Sequence, residues 1–297
     1  MRLNQLRVFL AIVDSGSIHR AARALGVTQP AVTKSLRQLE EDLHVRLLDR
    51  TRHGIVPTFA GRAFIVRARA AQAELRKAEE ELAQLAGERA GSVVFGVSHV
   101  ALQILPETFS RFRQTFPDAR VRIMEAASHI MFPMVRDETL DFLVGRWTGD
   151  KADPSMTVRP LIESEISVVG RVGHPLGKAR SLGDLVHADW ATILPPGVSG
   201  NTLEQIFTSA GLPCPKRIIH CESFAAVLVL VAGTDLLMAF PRIAHEPLRH
   251  GLQALPILRA LPRHMISLIT RADARHTPLA AAMIKVVTVV TRALARR

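Results

Sequence analysis

The sequence predicts two kinds of fold in one chain: a small helical module carrying a hairpin wing, then a long helix, then an α/β body. Three observations carry this. Residues 1–58 repeat apolar positions at helical spacing between glycine turns, residues 59–88 hold an unbroken heptad pattern, and from Ser92 onward strand-like and helix-like runs alternate. A chain of 297 residues is about twice a typical single domain, so more than one core is expected.

In the first segment Asn4 is expected to cap a helix whose apolar side is Leu6, Phe9, Leu10 and Val13, with Gly16 as its stop. Ser17 caps a second helix, with Ile18, Ala21, Ala22 and Leu25 at i, i+3, i+4 and i+7 and Gly26 at its end. A third runs from Gln29 toward Leu43 after Thr28. Pro30 is tolerated in its first turn, where no intrahelical donor is needed. Its inner face is Val32, Leu36, Leu39 and Leu43, and at about 100° per residue Pro30, Thr33, Lys34 and Arg37 fall on the opposite side. Two helices around a tight glycine turn, the second presenting small polar and basic groups at its start, form a helix-turn-helix that can enter a major groove. Residues 47–58 then read as a β-hairpin wing, with Arg50, Arg52 and His53 near the tip in position to meet phosphate.

From Phe59 to Glu88 there is no proline. Phe64, Ala68, Ala71, Leu75, Ala78, Leu82 and Leu85 recur at spacings of 4, 3, 4, 3, 4 and 3, with charges such as Arg67, Arg69, Glu74, Arg76 and Lys77 between them. A seam of that length suits a dimerising linker, the alternative being an amphipathic helix packed on its own domain; Gly87 and Gly91 end it. Beyond it, strands are expected at 93–97, 119–124, 142–144, 157–161, 166–169, 190–194, 217–221, 236–239 and 265–269. Helices are expected at 105–116, 130–136, 201–210, 223–232 and 278–295.

Charge narrows the partners. Thirty-eight Lys and Arg face 27 Asp and Glu, a net +11 that favours polyanions. Aromatic residues are only 5% with no Tyr, which argues against a stacking platform for single strands and for duplex DNA. Residues 1–58 hold nine of the cations and five of the anions, so the motif rather than the charge singles out the DNA-binding end. The longest apolar runs fall short of the ~20 residues of a membrane span, and no targeting segment is expected. Two cysteines, Cys214 and Cys221, are too few for a disulfide framework and point to a reducing cytoplasm.

The run Leu6-Arg7-Val8-Phe9, Gly16-Ser17, Ala21-Ala22, Leu25, Thr28-Gln29-Pro30-Ala31-Val32-Thr33, Leu36-Arg37-Gln38-Leu39-Glu40, Leu47-Leu48, Arg50 and Thr58 with Gly61 resembles the DNA-binding module of LysR-type transcriptional regulators. The resemblance extends more loosely along the chain, through length, helix order and His174-Pro175-Leu176, although Leu48 stands where members often carry Phe. It implies a winged helix-turn-helix over 1–58, a pairing linker helix over 59–88 and an effector domain similar to type 2 periplasmic binding proteins. That domain would have one lobe at 91–161 plus 267–297 and a second at 162–266, with crossings near Leu161–Glu165 and Pro262–Ser267. It further implies a homo-oligomer, dimer or tetramer, and RNA polymerase as a partner.

The DNA-contacting candidates are Thr28, Gln29, Pro30, Thr33, Lys34, Arg37, Arg50 and Arg52. Thr and Pro suit thymine methyls, Lys and Arg suit guanine edges or phosphates, and Gln29 suits an adenine edge or a phosphate. Ligands of open sheets collect beyond the carboxyl ends of strands. There the chain places Ser98, His99, His129, Arg146, Ser199, Asn201, Thr202 and Phe224, a set suited to a small carboxylate or sulfonate effector. No Gly-x-Ser-x-Gly, His-Glu-x-x-His, dinucleotide or phosphate-loop pattern occurs, and His245–His250 has the wrong spacing for a metal site. No catalytic residue, cofactor or metal is therefore expected. A redox sensor using Cys214 and Cys221 is one alternative; a solute-binding protein or enzyme with a basic assembly region is another.

Overall fold

The computed structural model of the chain describes residues 1–51, 54–85, 91–148, 153–195, 197–198, 200–242, 251–258 and 260–295. Contacts divide it into two units, Met1–Ala86 with Arg136–Thr139, and Gly87–Val135 with Leu140–Arg297.

The first unit comprises α1 (Leu3–Ser15), α2 (Ile18–Leu25), α3 (Gln29–Leu43), the strands β1 (Leu48–Thr51) and β2 (Gly54–Pro57), and α4 (Phe59–Leu85). Asn4 does not cap α1: the helix opens at Leu3, and the Gln5 side chain reaches back to the Arg2 N–H. Gly16 and Gly26 close α1 and α2 at φ of 62° and 67°, a region that costs other residues steric strain. Ser17 caps α2, accepting from the Arg20 N–H at 3.5 Å. Thr28 occupies the N-cap position of α3, but its hydroxyl makes no capping bond. Phe9, Ile12, Val32, Leu39 and Leu47 are buried between these helices, and the Phe9 ring lies 5.3 Å from Phe64 of α4. Glu40 accepts the N–H groups of Leu47 and Leu48 at 2.7 and 3.1 Å, while the Ile55 N–H donates to Gly16 O at 3.2 Å. The hairpin is thereby tied both to α3 and to the α1–α2 turn.

Along α4 the heptad seam divides. Ala68 is buried in the helical core and Phe64 packs against that core, whereas Ala71, Leu75, Ala78 and Leu82 are exposed. Lys77, read as a wet-face charge, is instead buried, because it pairs with Glu138 of the Arg136–Thr139 segment and with Glu74.

The second unit runs β3 (Ser92–Val97), α5 (Leu105–Thr115), β4 (Arg120–Glu125), α6 (Ser128–Arg136), β5 (Phe142–Arg146), β6 (Met156–Arg171), β7 (Asp189–Thr192), α7 (Thr202–Ser209), β8 (Ile218–His220), α8 (Phe224–Gly233), β9 (Leu236–Pro241), β10 (Leu252–Ala254), β11 (Arg263–Arg271) and α9 (Pro278–Leu294). The sheet order is β4-β3-β5-β11-β6-β9-β7-β8, with β10 on β6. Parallel pairs, β3 with β4 and β5, and β7 with β8 and β9, flank the antiparallel β6 and β11. Residues 156–171 form one strand of 16 residues rather than two short ones. The intervening Glu163–Glu165 stretch stays extended because it pairs with β11, where Arg263 meets Glu163 at 3.3 Å and Glu165 at 2.9 Å. A register shift between Ile266 and Ser267 falls within the expected crossing. Near one half of β6 the core holds Phe95, Phe112 and Phe142; near the other it holds Trp190, Phe207 and Leu237. Among the described residues no helix is long and apolar enough to cross a membrane.

Candidate functional site

Two features stand out, one in each unit. On α3, Gln29, Pro30, Thr33, Lys34 and Arg37 line one groove, with Gln38 and Glu41 at its far end. All are exposed except Thr33, which is half-buried, and the Gln29 amide meets the His19 ring. A second groove runs between α3 and the hairpin and gathers Arg37, Arg46 and Arg50 beside Glu40 and Asp49. Arg46 was not among the sequence candidates; it lies in the link from α3 to β1, and only the packing of the hairpin turns it toward this groove. Arg52 and His53 lie outside the described residues.

The second feature is a cavity of about 60 Å³ beyond the carboxyl ends of β3, β5 and β7. Ser98 follows β3, and its backbone N–H donates to Val144 O at 2.9 Å, which holds it beside β5. Arg146 ends β5, Ser128 and His129 open α6, Thr202 opens α7, and Phe240 and His264 arrive from β9 and β11. Gly145 lets the two serines converge: a Cβ there would lie 2.5 Å from Ser128 Oγ and 2.7 Å from Ser98 Oγ.

Arg146 donates to Gly200 O at 2.9 Å and to Gln205 Oε1 at 3.0 Å, and His264 Nε2 lies 3.1 Å from the same Gln205 oxygen. Burial lowers the His99 pKa to about 4. Burial, with the charge of Arg146 behind it, lowers that of His264 to about 3. Both rings are therefore neutral at neutral pH. Among the described lining residues there is no Asp or Glu. The hydroxyl of Ser98 and the Nδ1 atoms of His99 and His264 are buried with no hydrogen-bond partner among the described residues.

Of the sequence candidates, Ser98, His99, His129, Arg146 and Thr202 line this cavity. Asn201 and Phe224 do not. The Asn201 side chain accepts from the Glu204 N–H at 3.2 Å and donates to Leu194 O and Pro195 O, so it caps α7 and shapes the adjoining loop. Phe224 stacks on Phe240 at 4.8 Å and stands 5.6 Å from the His99 ring, as a backing for that ring. Ser199 lies outside the described residues, as does His245–His250. Sequence reading missed Gln205 and His264. No hydrophobic alternation marks His264: Met265 beside it is apolar yet exposed, and Ser267 is polar yet buried. Cys214 and Cys221 are unpaired and half-buried, and burial, together with the Glu204 charge, raises the Cys214 pKa.

Comparison with known proteins agrees with this division. A family model described as the LysR substrate binding domain matches residues 86–290, and one described as a bacterial regulatory helix-turn-helix protein of the lysR family matches residues 3–62. The chain is 32% identical over 249 residues to the HTH-type transcriptional regulator GbpR of Azospirillum brasilense, covering 82% of this chain and 72% of that one. It is 28% identical over 265 residues to the HTH-type transcriptional regulator TdcA of Escherichia coli K12, covering 88% and 84%. Among solved structures, CbnR, a LysR family transcriptional regulator, superposes with a TM-score of 0.73 at 21% identity, over 98% of this chain and 99% of that one. Full-length CbnR complexed with its target DNA gives 0.70 at 22% identity, over 98% and 100%. With both family models matched in order along the chain, and no enzyme among these relatives, this protein belongs to the LysR family of DNA-binding transcriptional regulators.

Proposed function

We propose that the chain works as a dimer or a pair of dimers on a pseudo-palindromic duplex site, and that a small organic anion in the cavity around Arg146 changes its grip on that site. Residues 1–58 read DNA and 59–88 pair two chains. Residues 91–161 with 267–297, and 162–266, form the two effector lobes. Thr28, Gln29, Pro30, Thr33, Lys34 and Arg37 face the major groove, and Arg50 and Arg52 meet phosphate. The regulator acts in the cytoplasm and answers to RNA polymerase. The observation that carries the effector reading is the half-buried Arg146 guanidinium in a cavity whose described lining holds no carboxylate, so an anion supplies its countercharge. Ligand closes the lobes about Leu161–Glu165 and Pro262–Ser267. It does so only by binding the two arrangements with different affinity.

The DNA half is tested by Lys34→Ala and Arg37→Ala. Each is expected to cost about 1–3 kcal/mol of operator affinity where a base edge is read, or to lower the salt slope by about 1 where a phosphate is met. Unchanged footprints in both variants would remove α3 from the interface. The effector half is tested by thermal shift with small carboxylates and sulfonates, where a ligand at 100 times its Kd adds about 2.7 kcal/mol. That gain is expected to vanish in Arg146→Ala; stabilisation by neutral compounds alone would overturn the anionic reading.

A further inference from the structure

The groups around Arg146 also dictate what must stand next to the anion. Gln205 Oε1 accepts from the Arg146 guanidinium at 3.0 Å, and this fixes the orientation of the amide, since only its oxygen can face a cation that donates. The same oxygen faces His264 Nε2 at 3.1 Å. An amide oxygen has no hydrogen to give, so Nε2 carries the proton. In a neutral imidazole Nδ1 is then a bare acceptor. Burial, with the neighbouring charge of Arg146, holds the ring neutral, with a pKa of about 3. His264 is 1% exposed, it lines the cavity, and its Nδ1 has no partner among the described residues. A carboxylate oxygen cannot satisfy that atom, because two acceptors would oppose one another. A donor on the ligand can.

We infer that the cavity selects a small hydroxy acid, whose carboxylate pairs with Arg146 and whose neighbouring hydroxyl donates to His264 Nδ1. The inference rests on the anionic reading above and adds to it a second recognition element. An amino acid would also present a donor, but its ammonium would stand beside the Arg146 cation with no carboxylate among the described lining residues to balance it. Ser98, whose hydroxyl rotates, can give or accept a hydrogen bond and takes the remaining ligand oxygen.

Isothermal titration of the full chain with lactate, 2-hydroxybutyrate, propionate, pyruvate and alanine tests this. The hydroxy acids are expected to bind about tenfold or more tightly than propionate, which lacks the donor, and than pyruvate, which offers an acceptor in its place. His264→Phe should bring lactate down to the affinity of propionate. Gln205→Glu places a carboxylate on Nε2, holds the ring doubly protonated and makes Nδ1 a donor, so preference should move from lactate toward pyruvate. Equal binding of lactate and propionate by the wild-type chain, with both lost in Arg146→Ala, overturns this inference and leaves the anionic site standing. Binding of none of the acids overturns both.

Discussion

His174 and His264 are both buried histidines, and their hydrogen bonds separate their roles. His174 Nε2 lies 3.0 Å from Asp235 O and its Nδ1 accepts the Leu176 N–H at 3.0 Å, so both nitrogens are engaged in holding a loop. His264 has one nitrogen engaged and the other, Nδ1, buried with no partner among the described residues. Its depressed pKa carries a stability cost in acid. The unfolded chain takes up a proton below about pH 6.5, and the folded chain refuses it until about pH 3, so the contribution of neutral His264 is whole above pH 6.5 and is lost progressively as pH falls toward 3. His99, at about 4, acts in the same direction. The slope is about 1.4 kcal/mol per pH unit for each group in that window. Urea midpoints should therefore fall between about pH 6.5 and 5, and fall less steeply in His264→Phe; identical slopes would assign the acid sensitivity to other groups. At Glu40 the prediction is simpler. Glu40→Ala leaves the N–H groups of Leu47 and Leu48 without their acceptor and should cost about 1–3 kcal/mol in the N-terminal unit, read as a lower unfolding midpoint together with weaker operator binding.

At the scale of elements, α4 is one helix with two environments. Its first turns hold Phe64 and Ala68 against the helical core, and its later turns leave Leu75 and Leu82 exposed at 42% and 67%. The heptad spacing is uniform along both parts, so the periodicity shows that a seam exists but not where its packing partner changes. The exposed part is the surface proposed to pair two chains. Leu82→Lys should therefore leave the melting of a single chain nearly unchanged while shifting sedimentation toward monomer and weakening operator binding. A Leu82→Lys chain that remains dimeric at low micromolar concentration would sink the pairing role. In β6 the opposite misreading occurred. The sequence reads as two strands, 157–161 and 166–169, yet one strand continues through both because β11 supplies both its ladder partners and Arg263. Strand continuity there depends on a segment about a hundred residues away, which no local window contains.

For the whole molecule, the surplus of +11 is spread over the chain, so DNA affinity depends on which cations a given fold brings to one face. Packing of the hairpin against α3 brings Arg46 beside Arg37 and Arg50. Arg46→Ala is expected to lower the slope of log K against log salt by about 1 per chain, with little change in sequence preference. An unchanged slope would take Arg46 out of the interface.

The sequence by itself determined the order of elements, the helix-turn-helix with its glycine stops at Gly16 and Gly26, the long helix and the α/β body, because caps, turn residues and hydrophobic period act within a few residues of one another. It also marked Ser98, His99, Arg146 and Thr202, since strand ends are where an open sheet leaves its cleft. Only the tertiary structure decided the burial of Lys77, the engagement of Asn201 as a cap, and the meeting of Arg146, Gln205 and His264. Those last three come from β5, α7 and β11, each separated from the next by 59 residues. Their protonation and free valences depend on which side chains the packed sheet brings within 3.1 Å, a property of the assembled core and not of any local stretch of chain.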